Sequence, residues 1–387
     1  MSAFVSSSEV PEPLTLVYKL VQDCPIKVDV YPPIIISSQV SSASSSNLPA
    51  VVHFHGGALT VGNRTSWFPS WLHRRVVSSG IVFISADYRL IPPATGHDIL
   101  ADIKGLFAFL EHDVNGHIRE HCPRERVFQV DTNALAVAGS SAGAMCAYLA
   151  AIHATPRPKA VLSLYGMGGD MLTWQYLTVK TEPFFRGREI LHTADFSDFL
   201  FPAYRDLPST SDSALAYHPT THRIPGYPSN PRQLLGRLYL QLGVFLDYFT
   251  GAHEPSLSDA LRNLLSADGR IVRDADPEGD DAKYANYIPA EHRHLFPQLN
   301  INSDLPPMFL IHGSADTAVF VRESKAMYAR LENAGVRAEL KILEGKEHNF
   351  DYEASAEQEF GQPGGLFEQA MDFLVGRLCR DTARIEK

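Results

Sequence analysis

The sequence predicts an open α/β fold with a mostly parallel central sheet. Three observations carry this. Short continuous apolar runs recur along the chain: "AVVHFH" (50–55), "GIVFISADYR" (80–89), "ALAVAG" (134–139), "AVLSLYG" (160–166) and "MFLIHG" (308–313). Such runs mark strands covered on both faces, as in a parallel sheet. Stretches with helical apolar spacing alternate with them, which is the cadence of an α/β layer structure. The 387 residues are 45% hydrophobic, enough to bury a large core.

Taken in order, "LTLVYKLVQDCPIKVDVYP" (14–32) alternates apolar and polar around a "QDCP" break and predicts an antiparallel strand pair. "SSQVSSASSSN" (37–47) is a Ser-rich connector. Helices are predicted at "DILADIKGLFAFLEHDV" (98–114), "VFVRESKAMYARLENAG" (319–335) and "LFEQAMDFLVGRLCR" (366–380). A strand is expected at 338–343. From Gly166 to Pro307 the strand–helix cadence stops. That interval holds helical pieces at "PRQLLGRLYLQLGVFLDYF" (231–249), with Asn230 as cap and Pro231 in the first turn, and at "LSDALRNLLS" (257–266). An acidic loop, "RDADPEGDDAKY" (273–284), follows. The expected layout is a core formed by residues 1–165 and 306–387, with 166–305 as a helical insertion over the end of the sheet.

The formal net charge of −10 argues against nucleic acid or an anionic membrane as the main partner. No apolar run is long enough to span a bilayer, and the N-terminus lacks the basic and apolar regions of an export signal, so a cytoplasmic location is expected. Cys24, Cys122, Cys146 and Cys379 match no metal or CxxC spacing and are expected as free thiols. The sequon at Asn63 is expected to stay unmodified.

The chemistry concentrates at "AVAGSSAGAMCAYLA" (136–150). A nucleophilic serine on a sharp strand-to-helix turn needs glycine two residues before and two after it. Only Ser141 has both, Gly139 and Gly143; Ser140 is flanked at those places by Ala138 and Ala142. A serine hydroxyl needs a base oriented by an acid. Among 16 histidines, His348 is favoured because it lies in "LKILEGKEHNF", just past the 338–343 strand. Asp316, directly after the 308–313 run, is the preferred acid, with a bland alternative role of capping the helix that follows. Asp351 and Glu353 are rival acids ranked lower, because no strand places them. The order Ser, Asp, His is the one an α/β-hydrolase sheet uses. Gly56 and Gly57, in "HFHGGALTVGNR" (53–64), and the N–H of Ala142 are the expected oxyanion donors. No cofactor or metal is called for.

On these residues the chain resembles the α/β-hydrolase superfamily, and within it the hormone-sensitive-lipase-like (arylacetamide-deacetylase-like) serine esterases. The resemblance rests on "HGGA" (55–58), "DYRLIPP" (87–93), "GSSAG" (139–143), "HGSAD" (312–316) and "EHNF" (347–350), five motifs in order. It implies Ser141, Asp316 and His348 as the triad and Gly56, Gly57 and Ala142 as the oxyanion hole. Asp87 and Arg89 look like the family's structural ion-pair position. The chain departs from the family pattern at Ala58, Pro93 and Ser140, where relatives often carry Gly, an acid and Asp. It also has few residues before its first strand, so the 166–305 insertion is expected to form most of the lid.

The function expected is a soluble serine carboxylesterase, monomer or homodimer, acting on a small or medium apolar ester or lactone. The alternatives are acyl transfer, cyclisation or elimination on a specialised metabolite with the same triad, or a binding protein on a hydrolase fold. Interfacial lipase activity has little support, since no interfacial amphipathic face is evident. The aromatics Trp174, Tyr176, Phe184, Phe185, Phe196, Phe199, Phe201 and Tyr204 are expected mostly as packing inside the insertion, with a minority lining an acyl pocket. Trp67 and Trp71, four apart, carry a helical spacing.

Overall fold

The computed structural model describes residues 12–34, 47–122, 128–215, 229–267 and 285–379. The acidic loop at 273–284 and nearly all of the Ser-rich connector lie outside the described residues.

Eight strands form one sheet: β1 (Leu14–Val21), β2 (Cys24–Tyr31), β3 (Asn47–Phe54), β4 (Val82–Ala86), β5 (Gln129–Ser140), β6 (Val161–Leu164), β7 (Met308–Gly313) and β8 (Ala338–Leu343). Their spatial order is β1-β2-β4-β3-β5-β6-β7-β8. β1 and β2 form the expected antiparallel ribbon, and β2 runs antiparallel to β4. All other pairings are parallel. The apolar runs are therefore what they predicted: β4, β6 and β7 are buried along their whole length.

Alternate side chains of β5 serve different layers. Val137 joins a core with helices α2 (Gly96–His112), α3 (Val114–His121) and α4 (Ala142–His153), whereas Ala136 and Ala138 pack with α1 (Ser70–Ser78) and the C-terminal helix Leu366–Leu378. Helices cover both faces, which is why the central strands need no polar alternation.

Between β6 and β7 the described residues add no strand to the sheet. Helices α5 (Trp174–Leu177), α6 (Arg232–Leu242), α7 (Phe245–Thr250) and α8 (Leu257–Ala267) occupy this interval. The stretch at 231–249 is two helices, because Gly243 turns left-handed at φ +65 and ends the first. Asn230 caps as expected, its Oδ1 accepting the Arg232 N–H at 3.1 Å. Arg232 fastens α6 to the sheet layer: its guanidinium donates to the carbonyls of Thr60, Ile91 and Pro92.

One local reading changes and another gains its partners. Trp67 and Trp71 do not share a helix, since α1 begins at Ser70 and Trp67 sits in the preceding turn with φ +43. Asp87 and Arg89 both form ion pairs, but not with each other. Asp87 accepts from Arg64 at 3.0 Å, and Arg89 pairs with Asp102 at 2.8 Å and Asp98 at 2.8 Å. Their side chains project to different layers, as residues two apart around a turn out of β4 are free to do. All four cysteines are free.

Candidate active site

Ser141 is the first residue past β5 and precedes α4. Its backbone sits at φ 55, ψ −122, a strained conformation for a residue with a Cβ. Three backbone bonds hold it there: Ser141 N–H donates to Leu164 O (2.9 Å), and Ser141 O accepts from Ala144 (3.1 Å) and Met167 (3.2 Å). The flanking glycines are required by close approach. A Cβ on Gly139 would lie 2.1 Å from Gly143 O, and one on Gly143 would lie 2.1 Å from Phe54 O. The same turn separates the two serines. Ser140 is 2% exposed and Ser141 only half-buried, and both border one cavity.

Asp316 follows β7 and does two jobs with its two oxygens. Oδ1 accepts the N–H groups of Ala318 (2.9 Å) and Val319 (3.0 Å), which orders the turn ahead of the helix Arg322–Asn333 rather than capping that helix. Oδ2 accepts His348 Nδ1 at 2.6 Å and lies 3.2 Å from His312 Nε2. Burial pushes the Asp316 carboxyl up. The attraction of His348, with the ring N–H groups of His312 and His348 beside the carboxylate, outweighs that burial, and its pKa falls well below the ordinary carboxylate range. With Nδ1 committed to Asp316, the other His348 nitrogen, Nε2, is left for chemistry.

The rival acids are placed elsewhere. Asp351 accepts Trp71 Nε1 at 3.0 Å and Tyr165 OH at 2.8 Å, a structural knot behind the His348 ring. Glu353 pairs with Lys346 at 3.1 Å. Tyr165 packs edge-on to His348 with ring centroids 4.6 Å apart and limits its movement.

The loop after β3 carries Gly56 and Gly57 along the cavity wall. Gly57 has φ +107, and a Cβ there would strike Val61 O at 2.1 Å, so only glycine fits. His55 anchors this loop. Its Nδ1 lies 2.7 Å from Gly56 O, its ring stacks on Tyr88 at 4.4 Å, and Tyr88 OH donates to His55 O. Burial lowers the His55 pKa to about 4, which keeps the ring neutral beside the loop. Ala142, the third expected donor, is buried at the start of α4.

Ser141, His348, Gly56 and Gly57 thus meet on one cavity of about 230 Å³. Of the eight aromatics singled out in the 166–305 interval, Tyr176 and Phe185 reach it; Trp67 reaches it from the loop after β3. Trp174 and Phe184 instead pack over the Lys180 ammonium, and Phe201 stacks on His253. Sequence reasoning missed Phe245, Gln175, Gln233 and Arg237, which also line the wall. The helical spacing of Gln233, Arg237 and Leu240 marks one face of α6, but nothing local says what that face looks at.

Residues 51–228 match a family model described as α/β hydrolase fold, and residues 262–372 match the prolyl oligopeptidase family. Among curated proteins, the chain is 23% identical over 353 residues to "Probable carboxylesterase M8" of Phoma sp., covering 90% of this chain and 92% of that one. It is also 23% identical over 360 residues to the non-reducing polyketide synthase prhL of Penicillium brasilianum. There it spans 91% of this chain but 13% of the synthase. Among solved structures, an α/β hydrolase superfamily protein from Enterococcus faecalis superposes with TM-score 0.56 at 16% identity, covering 94% and 99% of the two chains. The apo form of Thermogutta terrifontis esterase 2 superposes with TM-score 0.50 at 18% identity, covering 96% and 97%. Fold, elbow and family models agree on the class, an α/β hydrolase. The chain has the α/β-hydrolase fold.

Proposed function

We propose that the chain is a serine carboxylesterase acting through an acyl-enzyme on a small or medium ester or lactone. Ser141 Oγ attacks the ester carbonyl while His348 Nε2 takes its proton, and Asp316 holds the imidazole tautomer and stabilises the imidazolium. The N–H groups of Gly56, Gly57 and Ala142 receive the oxyanion. Collapse of the intermediate expels the alcohol, which takes the proton from His348. Water then attacks the acyl-enzyme with His348 again as base, and the acid leaves.

The observation that carries this reading is the 2.6 Å bond from His348 Nδ1 to Asp316, on a histidine that shares a cavity wall with the strained Ser141. The likeness to a probable carboxylesterase along 90% of the chain supports it. Residues 166–305 are read as the lid over a core of 1–165 and 306–387, because Tyr176, Phe185 and α6 line the same cavity as Ser141 and His348. The test is hydrolysis of p-nitrophenyl butyrate by wild type and Ser141→Ala. A fall of roughly a thousand-fold or more is expected; equal turnover by both would overturn the reading.

A second reading keeps the triad and replaces water by another nucleophile, so that an alcohol on a metabolite resolves the acyl-enzyme and a new ester forms. The polyketide synthases that match most of this chain favour it. Product mass spectrometry in ¹⁸O-water decides: one labelled oxygen in the released acid marks hydrolysis, and an unlabelled ester marks transfer. For location, no helix among the described residues is long and apolar enough to cross a membrane.

A further inference from the structure

The 166–305 interval meets the two triad loops at one carboxylate, that of Glu347. It immediately precedes His348, in the loop after β8. Its Oε1 accepts the Thr317 N–H at 3.1 Å and also the Thr317 hydroxyl. Its Oε2 accepts the His348 N–H at 2.8 Å and lies 3.3 Å from Arg186 Nε. Thr317 directly follows Asp316, and its Oγ1 in turn accepts the Arg186 N–H at 3.1 Å. One side chain thus joins the loop of the acid, the loop of the base and a segment of the lid.

That segment is a tight hairpin. The Phe184 N–H donates to Arg188 O at 3.2 Å and the Arg188 N–H to Phe184 O at 2.9 Å. Between them Phe185, Arg186 and Gly187 all hold left-handed φ, +50, +64 and +66. Phe185 and Arg186 carry a Cβ, so the turn is strained and persists where its neighbours hold it. Arg186 supplies two anchors, its N–H on Thr317 and its guanidinium on Glu347. Phe185, next to it, lines the cavity that holds Ser141 and His348. The seat of one cavity wall therefore depends on the residue before the base.

The sheet edge does not need Glu347 to hold together. The Ser314 N–H donates to Leu343 O at 2.9 Å and the Ala315 N–H to Lys346 O at 3.0 Å, which already joins the loops after β7 and β8. The Glu347 bonds fall beyond these, on Thr317 and His348. Both of its oxygens face N–H donors. A carboxylate satisfies both, whereas an amide of the same shape turns its NH₂ toward one of them.

Resting on the serine-esterase reading above, we propose that Glu347 is a positioning residue that ties the seat of the lid hairpin to the placement of His348. It acts on the reaction through its neighbours, holding the His348 backbone beside Thr317 and, through Arg186, seating Phe185. A base shifted from hydrogen-bond reach of the serine loses rate even when every triad residue is present.

The experiment measures kcat and KM for p-nitrophenyl butyrate in wild type, Glu347→Gln, Glu347→Ala, Arg186→Ala and the double variant of Arg186→Ala with Glu347→Ala. Glu347→Gln keeps the shape and should still lose about ten-fold in kcat. A packing role alone would spare it. Arg186→Ala removes a partly exposed ion pair and should lose about two- to five-fold in kcat/KM, with kcat falling as well as KM rising. The double variant should lose no more than Glu347→Ala, because the Arg186 side chain acts through Glu347. Wild-type kcat in Glu347→Gln, or additive losses in the double variant, would overturn the proposal. Arg186→Ala changes an exposed side chain, so it keeps the test open if a Glu347 variant folds poorly: unchanged kcat there also overturns it. Hydrogen exchange of the 184–188 amides reads the same link without turnover, and it should be faster in Glu347→Gln than in wild type. Faster exchange with no ester cleaved by wild type would sink the esterase reading and leave the hairpin link standing. Ester cleavage by wild type with kcat unchanged in the variants would do the reverse.

Discussion

A Cβ on Gly236 would stand 2.3 Å from the methyl carbon of Ala58. Helix α6 therefore rests directly on the loop that carries Gly56 and Gly57, and Ala58 holds a left-handed φ of +52 there. Gly236→Ala should force the two apart and cost about 1–3 kcal/mol, as overpacking does. Activity should fall with it, because the displaced loop bears two of the three proposed oxyanion donors. Adding Ala58→Gly should restore both. The double variant should match or exceed wild type, since alanine gains up to about 1 kcal/mol over glycine inside a helix. A urea-denaturation double-mutant cycle measures the coupling; simple additivity would contradict the contact.

Asp316 and Asp351 should separate activity from stability. Asp316→Asn should cut kcat by about 10⁴-fold, the cost of presenting the wrong imidazole tautomer. Asp351→Asn weakens the bonds from Trp71 and Tyr165 and should cost about 1–3 kcal/mol of stability. Its kcat should stay within about ten-fold of wild type. Steady-state kinetics beside thermal melts checks this, and matching losses of kcat in the two variants would contradict the assignment of the acid.

Much of this site was legible in the sequence, and the reason is local. Gly139, Gly143 and Gly57 are dictated by backbone atoms a few residues away or on the adjoining strand, so a short motif contains the constraint. Asp316 and His348 follow strand ends, and strand order sets where strand ends point. What stayed hidden was contact between distant segments. The face of α6 bearing Gln233 and Arg237 was visible as a periodicity, but its partner was not. Gly236 was the one clue: a glycine inside a helical pattern signals close approach without naming what approaches. Asp87 and Arg89 do hold ion pairs, but their partners stayed hidden for the same reason, since Arg64 and Asp102 lie on other elements.

His312 is buried beside Asp316: its Nε2 lies 2.8 Å from Val319 O and 3.2 Å from Asp316 Oδ2, and its Nδ1 2.7 Å from Ser324 Oγ. His312→Leu leaves Val319 O and Ser324 Oγ without these partners and should cost about 1–3 kcal/mol of stability. Thermal melts measure it; an unchanged Tm would contradict the bonding.

His73 predicts an acid-sensitive fold. Its ring lies among Tyr31, Phe68 and Phe83, with centroids 4.6, 5.0 and 5.1 Å away, and its Nε2 is buried without a partner among the described residues. Burial lowers its pKa to about 4. Above pH 6.5 the ring is neutral in both states and adds no pH dependence. Between pH 6.5 and about 4 the unfolded chain takes up a proton that the folded chain refuses, so stability falls with pH by up to about 1.4 kcal/mol per unit. His73→Phe should flatten that slope by about one proton and raise stability at pH 5 more than at pH 8. Urea midpoints across this range test it; an unchanged slope would contradict the buried, neutral ring.

The central claim is that Ser141, and not its neighbour Ser140, is the nucleophile. Fluorophosphonate labelling with intact-mass and peptide mapping addresses it directly, because the reagent reports an activated serine without any assumption about substrate. Wild type and Ser140→Ala should each take one adduct, mapped to Ser141, and Ser141→Ala should take none. A folded wild type that stays unlabelled, or an adduct on Ser140, would contradict the account.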